Sequence, residues 1–374
     1  SVGCCAAASP LLTPVTVAAA PGENRLVVII LRGAMDGLGV AAPYGDRDYA
    51  GLRPRIALSP DKDLLDMDGR FGLHPKLASL APLWRAGELS FAHAVSTPYR
   101  DKRSHFDGQD LLEAGTGMDV PPEAQRDGWL NRLLQVMPGS SAETAFAVGQ
   151  DEMRILRGAA PAMQWSPEVD LNLSPQARLL LEAVYDRDPL FSAAAMEGLD
   201  LAELLDIEKL PNLANGVKRD PLAAFAAERL MQETRIASFS ITGWDTHKGQ
   251  AGGLRKSLDR LQRAILTLQD GLGGIWSRTA VLAVTEFGRT VAENGNNGSD
   301  HGRGGGMFLI GGGVRGGKLH GKWKGLDKKQ LADGRDLPVT TDFRDVMTAS
   351  LEGLFGFDPP KGFFPEYKPG SIAL

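Results

Sequence analysis

The stretch that most constrains this chain is Leu26–Leu31, LVVIIL, six consecutive apolar residues dominated by β-branched side chains. Successive residues of a strand point to opposite faces, so a run with no polar alternation needs cover on both sides. It therefore predicts a strand inside a parallel sheet, ending where Arg32-Gly33 forces a turn. Further strands are predicted at Leu89–Val95, Thr144–Val148, Arg235–Ile241, Thr279–Thr285 and Met307–Ile310. Helical spacing falls between them: His74–Gly87, a helix capped by Ser104 and stopped by Gly115, Asp127–Val136, Pro175–Tyr185, Pro221–Glu233, Leu254–Leu272 and Asp342–Phe355. Strands alternating with helices give an α/β fold with a mostly parallel sheet covered on both faces. The helix-rich stretch 166–220, punctuated by Pro and Asp, is expected to be an inserted helical cap, and 23–374 to form one domain around it.

At 374 residues the chain is long enough to bury a large core without disulfides or structural metals. Its net charge of −5 argues against nucleic acid as a partner and leaves room for a small anion held by local cations. Both cysteines are adjacent, Cys4 and Cys5, in an apolar, small-residue start that ends in Ala18, Ala19 and Ala20. That start reads as the remnant of an export signal over residues 1–22, with its basic portion upstream of Ser1. It is too short and too interrupted by proline for a transmembrane segment. Removal of the segment leaves a chain without thiols, which excludes cysteine catalysis and Cys-type zinc sites.

Ligands of open α/β sheets bind beyond the carboxyl ends of the strands, so the residues that follow each apolar run deserve inspection. Asp36 follows the first. Asp245 and His247 follow the run ending at Ile241. Glu286 and Arg289 follow Thr279–Thr285, and a Gly/Asn-rich loop then carries Asp300, His301 and Arg303. Carboxylate and imidazole donors gathered at one sheet edge are what a divalent cation requires. Each piece alone also has a plain role: a turn former, a surface Asp-x-His pair, or a Glu286–Arg289 ion pair. Gly312–Lys318 approaches a phosphate-binding loop, but Leu319 stands where Ser or Thr is needed.

LVVIILRGAMDGL, PYGDRDYAGLRPRIAL, the long stretch from HPKLASL to HFDGQD, GWDTHKGQ, TEFGRTVAENGNNGSDHGRGGGM and TTDFRDV together resemble the DUF1501 family over nearly the whole chain after the leader. The resemblance implies exported bacterial proteins, periplasmic or extracellular, often using the twin-arginine route, grouped with the alkaline phosphatase and sulfatase superfamily. It implies a three-layer α/β/α sandwich and a centre of divalent ions (Zn, Mn, Mg or Ca) acting on a small phosphate or sulfate ester. By position, Asp36, Asp245, His247, Glu286, Asp300 and His301 resemble the metal ligands. Ser104 sits where the superfamily places its nucleophile, although helix capping explains the residue equally well and Ser96 and Thr97 compete with it. Arg289 and Arg303 are either clamps for the anion or orienters of Glu286 and Asp300. The sulfatase Cys/Ser-x-Pro-x-Arg pattern is absent. The implied function is an exported metal-dependent ester hydrolase; the alternative is a non-catalytic metal-binding or assembly protein on the same fold.

Overall fold

The computed structural model describes residues 23–62, 64–100, 104–119, 127–149, 153–165, 210–370 and 372. The proposed export segment, the predicted helix at Pro175–Tyr185 and most of the expected cap lie outside them. The main sheet contains β1 (Arg25–Leu31), β2 (Leu89–Ser96), β3 (Ala145–Val148), β4 (Met163–Trp165), β5 (Ile236–Ile241), β6 (Thr279–Val284), β7 (Gly305–Ile310) and the two-residue strands β8 (Leu319–His320) and β9 (Thr341–Asp342). Their order is β8-β2-β7-β6-β1-β5-β3-β4, with β9 also on β2. Only β7 runs antiparallel to its neighbours, β2 and β6.

Every residue of β1 is buried, and its two faces feed two separate cores. Val27, Ile29 and Leu31 pack under α3 (Pro221–Leu230), α4 (Gln250–Leu272) and the turns of residues 75–85. Leu26, Val28 and Ile30 pack under α2 (Trp129–Val136) and α5 (Phe343–Phe355), with Leu112 of α1 (His105–Ala114). These are the three layers expected from the unbroken apolar run. In α4, Leu254, Leu258, Leu261, Ile265, Leu268 and Leu272 recur every three or four residues and are all buried. Each contributes about 2 kcal/mol of apolar burial.

Helix ends follow the local signals. The Ser104 side chain caps α1 by accepting from the Asp107 N–H, and Gly115 closes it in the left-handed region at φ 66°. A Cβ there would lie 2.8 Å from the Phe364 ring, so glycine is needed for space as well as for conformation. One difference from the sequence reading concerns His74–Gly87. It is a 3-10 turn, Pro75–Leu80, followed by a short α-helix, Ala81–Arg85. The two prolines, Pro75 and Pro82, each sit at a helix start, where no N–H is required, and break the segment in two.

Candidate metal centre

Sheet order builds the site. β1 lies between β5 and β6, with Leu31 paired to Ile241 and Ile30 to Val284. Three neighbouring parallel strands therefore release their loops at one edge. The loops are drawn together by Gly33, whose missing side chain lets the Asp245 backbone approach; a Cβ at Gly33 would lie 2.5 Å from the Asp245 nitrogen. Arg289, 1% exposed, acts as the clasp. It donates to the carbonyls of Ala34 (2.8 Å), Gly33 (2.7 Å), Trp244 (3.1 Å) and Ser299 (2.9 Å), and to Asp245 Oδ1. It is buried, and these bonds hold Asp245 and the three loops together.

The donor atoms of His105, Asp245 and His301 lie within 4.8 Å of one another, the one such group of His, Cys, Asp or Glu among the described residues. Asp245 Oδ2 is 3.6 Å from His105 Nε2, and Asp245 Oδ1 is 3.5 Å from His301 Nε2. His247 joins from the open side: its Nε2 lies 3.1 Å from Asp245 Oδ1 and 3.0 Å from His301 Nε2. Ligands bonded at about 2.0–2.1 Å in a tetrahedron are about 3.3 Å apart, close to all four separations. His105 Nε2 is buried and has no hydrogen-bond partner. A buried, unpaired ring nitrogen aimed at a carboxylate and two other imidazoles fits a cation between them.

Two carboxylates stand behind this group. Glu286, fully buried, places Oε1 2.7 Å from His105 Nδ1 and accepts the N–H groups of Gly33 and Ala34, each at 3.1 Å. Ala34 holds φ 58°, unusual outside glycine, and the strained turn aims both amides at one oxygen. Asp300 Oδ1 lies 2.9 Å from His247 Nδ1 and accepts from Asn294 at 3.0 Å. A carboxylate on Nδ1 fixes the tautomer that leaves the Nε2 lone pair for a cation. Glu286 and Asp300, read from the sequence as metal-ligand candidates, each place an oxygen on the Nδ1 of a histidine of this group.

Asp36 lies apart from the cluster. It is 1% exposed and forms a two-pronged ion pair with the wholly buried Arg53, Nη2 to Oδ1 at 3.0 Å, and it also accepts from Gln250. Arg53 supplies the positive charge that this buried carboxylate needs. Arg53 and Gln250 were not flagged in the sequence, because neither follows an apolar strand. His105, the residue after Ser104, is the main addition. It arrives on α1, after a strand three places from β1, so no strand-end motif marks it.

Charge and hydrogen bonding set the electrostatics. The bond to Glu286 raises the pKa of His105 against the opposing effect of burial, and the charges of Glu286 and Asp245 add to it. For Asp245, burial favours the neutral form but is outweighed by the Arg289 hydrogen bond and charge, so its pKa falls. Asp300 is lowered by its bonds from Asn294 and His247. Beside His301 a cavity of about 180 Å³ opens between Tyr99, Phe287, Arg100, Arg303 and Arg335. Arg303 lines it while donating to Asp333 at 2.6 Å. Ser104 Oγ accepts a long bond, 3.4 Å, from the Asp107 N–H. Thr97 donates to the Glu286 carbonyl at 2.8 Å, and Ser96 is buried in β2.

Among solved structures, the chain is similar to the soluble domain of lipooligosaccharide phosphoethanolamine transferase A from Neisseria meningitidis, at 10% identity over 78% of this chain and 77% of that one, TM-score 0.37. It is similar also to the C-terminal periplasmic domain of EcEptC from Escherichia coli, at 11% identity over 93% and 88%, TM-score 0.40. A third is a protein in the alkaline phosphatase superfamily from Vibrio parahaemolyticus, at 11% identity over 80% and 62%, TM-score 0.37. No curated protein matches the sequence. No helix of the described residues is long and apolar enough to cross a membrane. Residues 23–361 match the family model described as Protein of unknown function (DUF1501), and the chain belongs to that family.

Proposed function

We propose that this protein is an exported, metal-dependent hydrolase of phosphate or sulfate esters. The observation that carries the reading is the convergence of His105, Asp245, His247 and His301 with an orphaned Nε2 among them. An imidazole-rich set with one carboxylate suits Zn²⁺ or Mn²⁺ better than Ca²⁺ or Mg²⁺, which prefer oxygen shells. When bound, the ion would supply Lewis-acid polarisation of the ester and neutralise charge on its oxygens. Glu286 and Asp300 keep His105 and His247 in the ligand tautomer, and Arg289 holds Asp245 in place. Arg303 and Arg335 line the adjoining cavity paired with Asp333 and Asp336 of the same wall, and Arg100 adds a third cation toward an anion. Ser104 is the nucleophile in this reading. Its oxygen accepts the capping bond and its hydroxyl also hydrogen-bonds Tyr99, and the start of α1 favours negative charge there.

The test is turnover of an aryl phosphate and an aryl sulfate by the chelator-treated chain, with Zn, Mn, Mg or Ca restored in turn. Metal-dependent turnover lost in Asp245→Asn is the expected outcome. Metal binding at the cluster without turnover of any ester supports instead a non-catalytic metal-binding protein. That second reading is favoured by the capping bond that Ser104 already makes. Absence of metal binding sinks both.

A further inference from the structure

A basic cavity lies against the start of α4. It measures about 450 Å³, within the roughly 300–1,000 Å³ range of small-molecule sites. Its walls come from the turn after Arg53, from the start of the 75–80 turn and from the first turns of α4. The apolar part is Ile56, Leu58 and Leu254; the charged part is Arg55, Lys76 and Arg255, with no Asp or Glu among the lining residues. Two of the three cations already have partners outside the lining: Arg55 holds Glu293, and Lys76 Nζ lies 2.7 Å from Asp259. Arg255 is exposed and has no ion-pair partner among the described residues. His74, also in the wall, is buried, and its Nδ1 accepts from the Lys76 N–H at 2.9 Å, the bond of an uncharged ring.

From this geometry we infer a second ligand site: a pocket for a free amphiphile with one negative headgroup, paired with Arg255, and an apolar body laid on Ile56, Leu58 and Leu254. The single uncompensated charge selects a monoanion, and the apolar wall rewards a hydrocarbon body over a bare inorganic ion. The Gln250 side chain forms part of the same wall and, on its other side, ties Asp36 to Ser299 and Thr246. The pocket is lined by none of the cluster residues His105, Asp245, His247 and His301.

The probe is octanoate, titrated calorimetrically into the full chain, with acetate and octanol as controls for body and head. Octanoate is expected to bind at least tenfold more tightly than either control. Arg255→Glu and Leu58→Asp should each weaken it at least tenfold while leaving the circular dichroism spectrum unchanged. Asp245→Asn, which disables the metal cluster, should leave octanoate affinity unaltered, and Arg255→Glu should leave metal affinity unaltered. Octanoate binding that survives Arg255→Glu, or that disappears in Asp245→Asn, overturns the proposal. So does equal binding of octanol.

Discussion

Asp36 and Glu286 are carboxylates of the same kind, each buried at the end of an apolar strand, yet their neighbours give them different work. Asp36 is neutralised by Arg53, so it serves the fold. Asp36→Asn should lower stability by about 3–5 kcal/mol, the cost of leaving a buried guanidinium unpaired, and leave metal affinity within twofold. Glu286→Gln should do the reverse in emphasis: metal affinity falls about 10–100-fold, because the His105 tautomer is no longer fixed. Urea midpoints beside chelator-competition titrations separate the two, and equal metal losses would refute the division. Ser104 has a role in both columns. Ser104→Asn keeps a good cap and removes the hydroxyl, whereas Ser104→Ala loses about 1 kcal/mol of cap as well. If Ser104 is the nucleophile, both variants lose ester turnover at least a hundredfold while only Ser104→Ala is less stable. Full activity in Ser104→Asn would leave the hydroxyl a cap alone.

At the scale of elements, α4 was legible because a stripe at three- and four-residue spacing survives any tertiary context. Its start was less so: the helix begins at Gln250, four residues before the predicted Leu254, since the first turn is polar and is held by the Asn296 and Asn297 carbonyls through Gly249 and Gln250. Leu258 is wholly buried under β1 and β5. Leu258→Ala should cost about 3 kcal/mol, read as a lower urea midpoint with an unchanged slope. The strands β8, β9 and β4 escaped the sequence reading because two or three residues carry no measurable periodicity. The antiparallel direction of β7 escaped it for another reason. Direction depends on where the preceding loop delivers the chain, and Gly305–Ile310 is apolar whichever way it runs.

For the whole molecule, pH bears on two histidines remote from the metal cluster. Burial lowers His74 to about 4, with the charges of Arg255 and Lys76 adding to it. Burial likewise takes His93, stacked on Phe71, to about 4. Both are neutral in the fold, while the unfolded chain takes up protons near its ordinary value of about 6.5. Stability is therefore complete above about pH 6.5 and is lost progressively as pH falls toward 4. Replacing His93 by Phe and His74 by Asn, which retains the capping acceptor, should flatten that slope. A slope unchanged in the double variant would assign acid sensitivity to other groups.

What the sequence determined by itself was the set of layers and the edge at which chemistry gathers. Unbroken apolar runs can be satisfied only between two layers, and parallel strands return their loops to one side. Caps at Ser104 and Gly115 were readable because they act within four residues. What only the tertiary structure decided was which donors meet. His105 reaches the cluster from α1, Asp36 is withdrawn from it by Arg53, and Glu286 and Asp300 stand behind histidines. Those assignments depend on contacts between residues far apart in the chain, such as Gly33 with Glu286, 253 positions away. No local pattern records such contacts, because the energies that select them exist only once the sheet order has brought β5, β1 and β6 side by side.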